Sequence, residues 1–295
     1  MVAEADIEIP PGTYRPTAKQ HLLWQYIHDA EPGSLTLLGY GGAAGGGKTR
    51  AMAELALDLM LTYPGNRGMI GRKDFADLRT TTLEEFDKQF ALLPLSIRRS
   101  RDSSPVSRSL RLPDWPKGVW STVHFRELKD YLSLGSEEYG FAMIDEAGEV
   151  PEQSMLMLLS RMRHKAARKR VIACGSNPWP GWFQRWFVRR ELPEDVIRAV
   201  GGRVHFIPAL MRDNPYLPDN YESLLRAIYP ADWVNRFVEG RWDAFVGQVY
   251  DNLTMQHCWY GPLPHFERLV GGLDFGGQNP QAHMTAAVVA GLTHE

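Results

Sequence analysis

Gly42, Gly47, Lys48 and Thr49 stand at the spacing G-x-x-x-x-G-K-T within the stretch YGGAAGGGKTRAM. That spacing is the signature of a loop wrapped around phosphate. Gly42, Gly45, Gly46 and Gly47 let the backbone turn with positive φ and bring bare N–H groups onto phosphate oxygens. Lys48 is then expected at the β- and γ-phosphates, and the Thr49 hydroxyl on Mg²⁺. Arg50, next in the chain, joins them as a nucleotide-binding residue. The flanks agree with this assignment. SLTLLGY (34–40) is a short apolar strand candidate, and Met52, Leu55, Ala56 and Leu59 recur at the spacing of one helix face.

Hydrolysis needs a second element that holds the metal and activates water. FAMIDEAGE offers it: four apolar residues end in Asp145 and Glu146. Asp145 is expected to bind Mg²⁺ and Glu146 to polarise the attacking water. Neighbouring side chains on a strand point to opposite faces, so both reach one site only if the backbone bends where the strand ends. Further on, VIACGSNP carries Asn177 at the tip of another apolar strand. There an amide can bond a γ-phosphate or the lytic water, although Asn-Pro is also an ordinary turn. Upstream, Gln20 can donate and accept at once and so read an adenine edge, with Tyr14 or Arg15 packed on the ring. A cation for the transferred phosphoryl is expected at Arg72, with Arg79 and Arg126 as alternatives.

Strand-like and helix-like segments alternate up to about residue 200. The further strand candidates are 67–72, 119–125, 139–145 and 170–176, and helices are expected over 74–90 and 151–165. This implies an α/β fold with a mostly parallel sheet and flanking helices. The strand between the glycine loop and the acid pair points to P-loop NTPases of the additional-strand, catalytic-Glu type. Residues 97–118 read as a loop or hairpin insertion. From residue 201 the texture changes to two short helices cut by prolines, and from Arg268 to strand, glycine turn, strand. At 295 residues the length suits about two domains. Net charge is −2, so any nucleic-acid binding must come from local patches. One such patch is Arg161–Arg170, with seven basic residues in ten, counting His164; a solvated helix end is its plainer reading. Trp179, Trp182 and Trp186 read as packing before base stacking. Two cysteines give neither a disulfide framework nor a metal spacing, and no apolar run is long enough to span a bilayer.

With these pieces in order, the chain resembles the large terminase subunit of tailed bacteriophages. GGAAGGGKT, FAMIDEA and GSNPWPGWF are similar to that family's Walker A, Walker B and coupling motifs, and YRPTAKQ to its adenine-reading motif. The segment 211–250 is similar to the part joining ATPase to nuclease. The resemblance implies an ATP- and Mg²⁺-dependent motor in the host cytoplasm, without membrane association. Such a motor moves viral double-stranded DNA into a procapsid, with portal protein, small terminase subunit and a homo-oligomeric ring as partners. It divides the chain into an ATPase domain (1–200), a linker or lid subdomain (201–266) and the first strands of an RNase H-like nuclease (267–295). Asp274 matches the first metal-binding acid of that nuclease, which uses Mg²⁺ or Mn²⁺. The partner carboxylates of a two-metal site are expected beyond residue 295, so no DNA cleavage is expected of these residues. The alternatives are a helicase-like nucleic-acid-dependent ATPase and a portal-docking piece with an idle ATP site.

Overall fold

The computed structural model describes residues 14–93, 98–243, 261–262, 265–274 and 286–293. The glycine turn expected after Asp274 and the end of the segment 211–250 lie outside the described residues. Contacts divide the chain into two units, Met1–Gln248 and Val249–Glu295.

The first unit opens with helix α1 (Ala18–His28), started by a capping box between Thr17 and Gln20. Strand β1 (Leu35–Gly42) is buried at every position and runs into the glycine loop. Helix α2 (Lys48–Thr62) follows, burying Met52, Leu55, Ala56 and Leu59 as its periodicity predicts. Strand β2 (Arg67–Arg72) leads to a continuous helical run: α3 (Phe75–Leu78), a π turn (Arg79–Leu83) and α4 (Glu84–Leu92). Residues 98–110 fold as a hairpin of β3 (Arg98–Arg101) and β4 (Val106–Leu110), the insertion seen in the sequence. Next come β5 (Ser121–Glu127), β6 (Phe141–Ile144), α5 (Glu152–Arg161) and β7 (Arg170–Ser176). Helix α5 ends at Arg161, so most of the basic run lies in the loop that enters β7.

The eight strands of this sheet lie in the order β3-β4-β5-β2-β6-β7-β1-β8. Pairing is parallel from β5 to β8 and antiparallel only through the hairpin. Strand β2 sits between β5 and β6, the inserted position that the sequence implied. Core clusters line both faces: α2 and α4 with Ile70, Phe125 and Met143 on one, α5 and the Trp182–Phe187 segment with Met69, Ile144 and Ile172 on the other.

After α6 (Glu194–Val200) comes β8 (Val204–Ala209), which pairs with β1. The sheet therefore runs past residue 200, where the change in texture had suggested a boundary. The short VHFIPA run, with a proline and only partial burial, hides its strand character. Helices α7 (Tyr221–Ile228) and α8 (Ala231–Trp233) and a π turn (Val234–Val238) follow, the two short helices expected. Their cluster of Met211, Leu225 and Val238 packs with Ala43 of the glycine loop.

The second unit is an antiparallel pair, β9 (Arg268–Asp274) and β10 (Ala286–Leu292). Asp274 closes β9 opposite Ala286. Val288 and Val289 are exposed.

Candidate nucleotide-binding and hydrolysis site

The carboxyl ends of β1, β6 and β7 meet at one edge of the sheet, where open α/β sheets place ligands. β1 delivers the glycine loop. Gly42 has φ +140°, and a Cβ there would stand 2.3 Å from the Ala209 carbonyl oxygen of β8. Gly47 has φ +72°, and its Cβ would stand 2.6 Å from Gln20 Nε2. Both positions accept only glycine without rearrangement. Gly45 also turns left-handed, at φ +71°.

Gly46, by contrast, is not among the residues of positive φ. It is buried, and a Cβ on it would stand 3.1 Å from the Ala209 Cβ. Its carbonyl faces inward and accepts from the Tyr40 hydroxyl at 3.0 Å. Glycine at 46 therefore lets the loop lie close against β8, and its left-handed turns fall to Gly42, Gly45 and Gly47. Gly46 still borders the cleft beside Lys48, where its role toward phosphate was expected.

Lys48 is 7% exposed and donates to Ala43 O at 2.8 Å and to Asn177 Oδ1 at 2.9 Å. Burial pulls its ammonium below the ordinary lysine range, against the opposite pull of Glu146 and Asp145. Thr49 Oγ1 donates to Asp145 Oδ2 at 3.0 Å. Thr82 Oγ1, from the π turn, donates to the same oxygen at 2.7 Å. Glu146 takes the bend that its role requires: φ 47° and ψ 48°, in the left-handed region where a non-glycine residue is strained. That turn swings its carboxylate beside Asp145, and Asn177 Nδ2 donates to both Glu146 oxygens at 3.2 and 3.3 Å. Burial and then Asp145 push the Glu146 carboxyl above its usual range, while Lys48 and Arg72 draw it down. Lys48, Thr49, Asp145, Glu146 and Asn177 thus form one connected network, as their spacing in three motifs predicts.

The loop residues 44–50 line a cleft of about 530 Å³ with Thr81, Glu85, Glu146 and Asn177. A second hollow of about 460 Å³ shares Gly47 and Arg50 with it and is closed by Tyr14, Arg15, Gln20, Asn214 and Tyr216. The Gln20 amide is already employed. It accepts from Thr17 N at 2.8 Å and donates to Gly47 O at 2.9 Å, leaving one N–H and one lone pair for a base. Arg50 reaches Glu54 and Glu85, both at 3.1 Å, and lies over the Tyr14 ring.

Of the candidate finger arginines, Arg72 lies nearest the chemistry. It donates to Thr81 at 3.2 Å, and its charge acts on Glu146 within the same chain. Arg126 is tied to Glu137 and to the Ser133 carbonyl, away from the cleft lining. Arg79 is exposed in the π turn. Trp182 and Trp186 are buried in the core, whereas Trp179 is 41% exposed.

Four contacts at the candidate site escaped the sequence reading. Thr82 lies in a run of threonines with no motif around it. Asn214 Nδ2 donates to Gly45 O at 2.6 Å, and Ala44 N donates to Phe237 O at 2.8 Å, so the segment after β8 grips the glycine loop. Arg236 Nε donates to Pro178 O at 2.6 Å, and its guanidinium lies 4.5 Å from the Trp179 ring centre. Its charge acts on Glu146 and Glu149. The Asp213-Asn214-Pro215 and Gly240-Arg241-Trp242 triplets were the available signals, since both belong to the segment that carried the terminase resemblance. Trp242 stacks on Phe183 at 5.3 Å.

The parallel sheet with an inserted strand, the glycine loop before α2 and the paired acids define a P-loop α/β protein. The family model for phage terminase large subunits matches residues 36–233, and the chain belongs to that family. Among solved structures, it is similar to the large terminase of the thermophilic bacteriophage D6E at 16% identity and TM-score 0.61, over 95% of this chain and 66% of that one. The ADP complex of the same terminase matches at 17% identity and TM-score 0.60, over 94% and 65%. The ATPase domain of the Thermus phage P74-26 large terminase matches at 16% identity and TM-score 0.52, over 78% and 94%. The chain therefore spans just under two thirds of the D6E terminase length. No curated protein matches the chain in sequence. Among the described residues, no helix is long and apolar enough to cross a membrane.

Proposed function

We propose that the chain binds ATP with Mg²⁺ and hydrolyses it as the motor part of a viral DNA-packaging enzyme. The observation that carries this reading is the single amide of Asn177 holding both Lys48 and Glu146. A γ-phosphate is a better partner for Lys48 than a neutral amide oxygen. Its arrival frees Asn177 to turn toward the lytic water or the phosphate, and its departure restores the contact. Glu146 accepts the proton of the attacking water as the water oxygen bonds to the γ-phosphorus and ADP leaves. A carboxyl raised above its ordinary range is a better base near neutral pH than an unperturbed one.

The hydroxyl of Thr49 and the carboxylate of Asp145 are hard oxygen donors side by side, the donor type that Mg²⁺ takes together with waters and substrate oxygens. Held there, Mg²⁺ would supply positive charge to neutralise the charge developing on the phosphoryl group. Arg72 supplies positive charge from within the chain, and Gln20, Tyr14 and Tyr216 border the base. The ADP complex of the D6E terminase supports this ligand class.

The wider assignment follows the family. The substrate is double-stranded viral DNA in the host cytoplasm, with a portal, a small terminase subunit and other copies in a ring as partners. The segment after β8 acts as a linker or lid of the motor. Asp274 is the first acid of an RNase H-like site that takes Mg²⁺ or Mn²⁺.

The test is ATP turnover with Mg²⁺. Lys48→Ala should abolish binding or turnover, and Glu146→Gln should bind ATP and barely turn it over. Parent-like hydrolysis in either variant refutes the assignment of that residue.

A further inference from the structure

The sheet carries a second surface whose chemistry the ATP site does not use. It lies on the hairpin extension, at the amino-terminal end of β2. Register places Arg99 of β3, Ser109 of β4, Thr122 of β5 and Arg67 of β2 side by side in one row across four strands. Alternation puts them on one face, and Trp120 and Arg111, just outside β5 and β4, join it through the contacts of Arg99 and Arg111 with the Trp120 ring. At about 4.8 Å per strand, the row sets Arg67 and Arg99 about 14 Å apart.

The face is built. The Arg99 guanidinium lies 3.7 Å from the Trp120 ring centre, and that of Arg111 5.8 Å from it. Beneath them, the hydroxyls of Ser109 and Thr122 bond each other at 2.8 Å. Arg111 Nε is buried without a hydrogen-bond partner. None of Arg67, Arg99 and Arg111 has a carboxylate partner among the described residues. By contrast, Arg108 on the opposite face is locked between Asp87 and Asp102. The basic run prolongs the same surface. Gly140 N donates to Arg67 O, and His164 N donates to Tyr139 O at 3.2 Å, which brings the start of that loop, at Arg163 and His164, beside the entry to β6 and β2. In a chain of net charge −2, Arg67, Arg99 and Arg111 are a local concentration of cations without carboxylate partners among the described residues, while Arg163 at its margin pairs with Glu138 at 3.0 Å.

We propose that this face grips the phosphate backbone of double-stranded DNA without reading its sequence. The proposal rests on the motor reading above and names the surface that its substrate touches. Two features favour nucleic acid over a protein partner. The cations are arginines, two of them (Arg99 and Arg111) held against the Trp120 ring, in a row that includes the Ser109 and Thr122 hydroxyls; such groups dominate phosphate contacts. The face also has no exposed large apolar side chain among the described residues, whereas protein interfaces are built around an apolar centre. Arg67 stands five residues before Arg72 on β2, so at about 3.3 Å per residue the surface lies roughly 16 Å from the end that borders the ATP cleft. A grip at that distance leaves the hydrolysis network untouched.

The test uses the full chain and a labelled 30-base-pair duplex of arbitrary sequence, with binding followed by anisotropy across a salt series. Arg67→Gln/Arg99→Gln/Arg111→Gln is compared with Arg189→Gln/Arg198→Gln/Arg226→Gln, which removes the same charge from exposed positions elsewhere. The first variant should bind at least tenfold more weakly, with a salt slope shallower by about 2.7, at about 0.9 per lost phosphate contact. The control should bind within about threefold of the parent, and basal ATP turnover of the first variant should be unchanged. Equal losses in both variants, or none in the first, overturn the proposal. A change in sedimentation with parent-like DNA binding also overturns it and assigns the face to contact between copies. A parent that hydrolyses ATP but binds no DNA overturns this proposal alone. DNA binding without Lys48-dependent hydrolysis overturns the ATP reading and leaves the surface standing.

Discussion

Replacing Asn177 by Asp tests the idea that one amide sets the protonation of the hydrolytic base. In the parent, Asn177 Nδ2 donates to Glu146 at 3.2 and 3.3 Å and favours the charged carboxylate. Aspartate keeps the shape and the acceptor facing Lys48 but turns the donor into a second negative charge. Two unit charges 4 Å apart at an effective dielectric of 20 repel by about 4 kcal/mol, equivalent to about three pKa units as an upper limit. Lys48 faces the new charge at the other side, and the open cleft lets water screen the pair, so a rise of about one to two units is expected. Glu146 already lies above the ordinary 4.5, raised by burial and Asp145. The base works only when deprotonated, so turnover rises with pH through this pKa and its acid limb marks the value. The measurement is steady-state phosphate release at saturating ATP and Mg²⁺ between pH 5.5 and 9. In Asn177→Asp the acid limb should move up by one to two units while turnover at high pH recovers toward the parent. Asn177→Ala, which only removes the donor, should move it by less than one unit. An unmoved limb in a well-folded, active Asn177→Asp protein refutes Glu146 as the base held by Asn177.

Four further outcomes follow from contacts around the site. Gly47→Ala forces an L side chain to φ +72° and drives a Cβ onto Gln20 Nε2, so backbone strain of about 1–3 kcal/mol and a lost Gln20 contact should weaken ATP binding at least tenfold by calorimetry. Thr82→Val keeps volume but removes a buried bond to Asp145, which should lower urea stability by about 1.5–3 kcal/mol and raise the Mg²⁺ needed for half-maximal turnover. Arg236→Gln should reduce turnover about tenfold at nearly constant KM, with Arg236→Lys recovering part of it, because the guanidinium holds the Pro178 carbonyl and acts on Glu146; parent-like turnover would remove Arg236 from the machinery. A polypeptide limited to residues 1–295 should show no Asp274-dependent plasmid cutting in Mn²⁺, since residues 268–292 contain one carboxylate and a two-metal site needs several.

The glycine-loop half of the candidate site was legible because its pattern is local in sequence. Glycines that must take positive φ, and the lysine and threonine opening the next helix, cannot be spread along the chain and still form one loop. Composition alone could not separate the glycines by purpose: Gly46 is there for closeness to Ala209, a neighbour 163 residues away, and not for a left-handed turn. The acid pair was legible in combination: the requirement for a bend where the strand ends became the left-handed backbone of Glu146. Gln20 shows the limit of such reading. Its residue type announced hydrogen bonding, but not that Thr17 and Gly47 already hold its amide. Thr82 was invisible because its partner is 63 residues away and its neighbours are also threonines.

Strand β8 and the segment after it were hidden for a different reason. An edge strand is covered on one side only, so VHFIPA has neither the continuous apolar run of β1 nor a clean alternation. Yet the β8 backbone fixes the site as firmly as β1 does: Ala43 N donates to Ala209 O, and that same carbonyl excludes a side chain at Gly42. Chain continuity then carries Asn214 to Gly45, Phe237 to Ala44 and Arg236 to Pro178. The glycine loop is thus held from the outside at successive backbone groups, and the Asn177-Pro178 turn is held by the same segment. On the proposed reading, a nucleotide that turns Asn177 would load the Pro178 carbonyl next to it, and through Arg236 the helices after β8. In the proposed mechanism, that linkage would carry hydrolysis into the segment after β8. It depends on backbone atoms, which any sequence supplies, and on one arginine among many, so only the fold could reveal it.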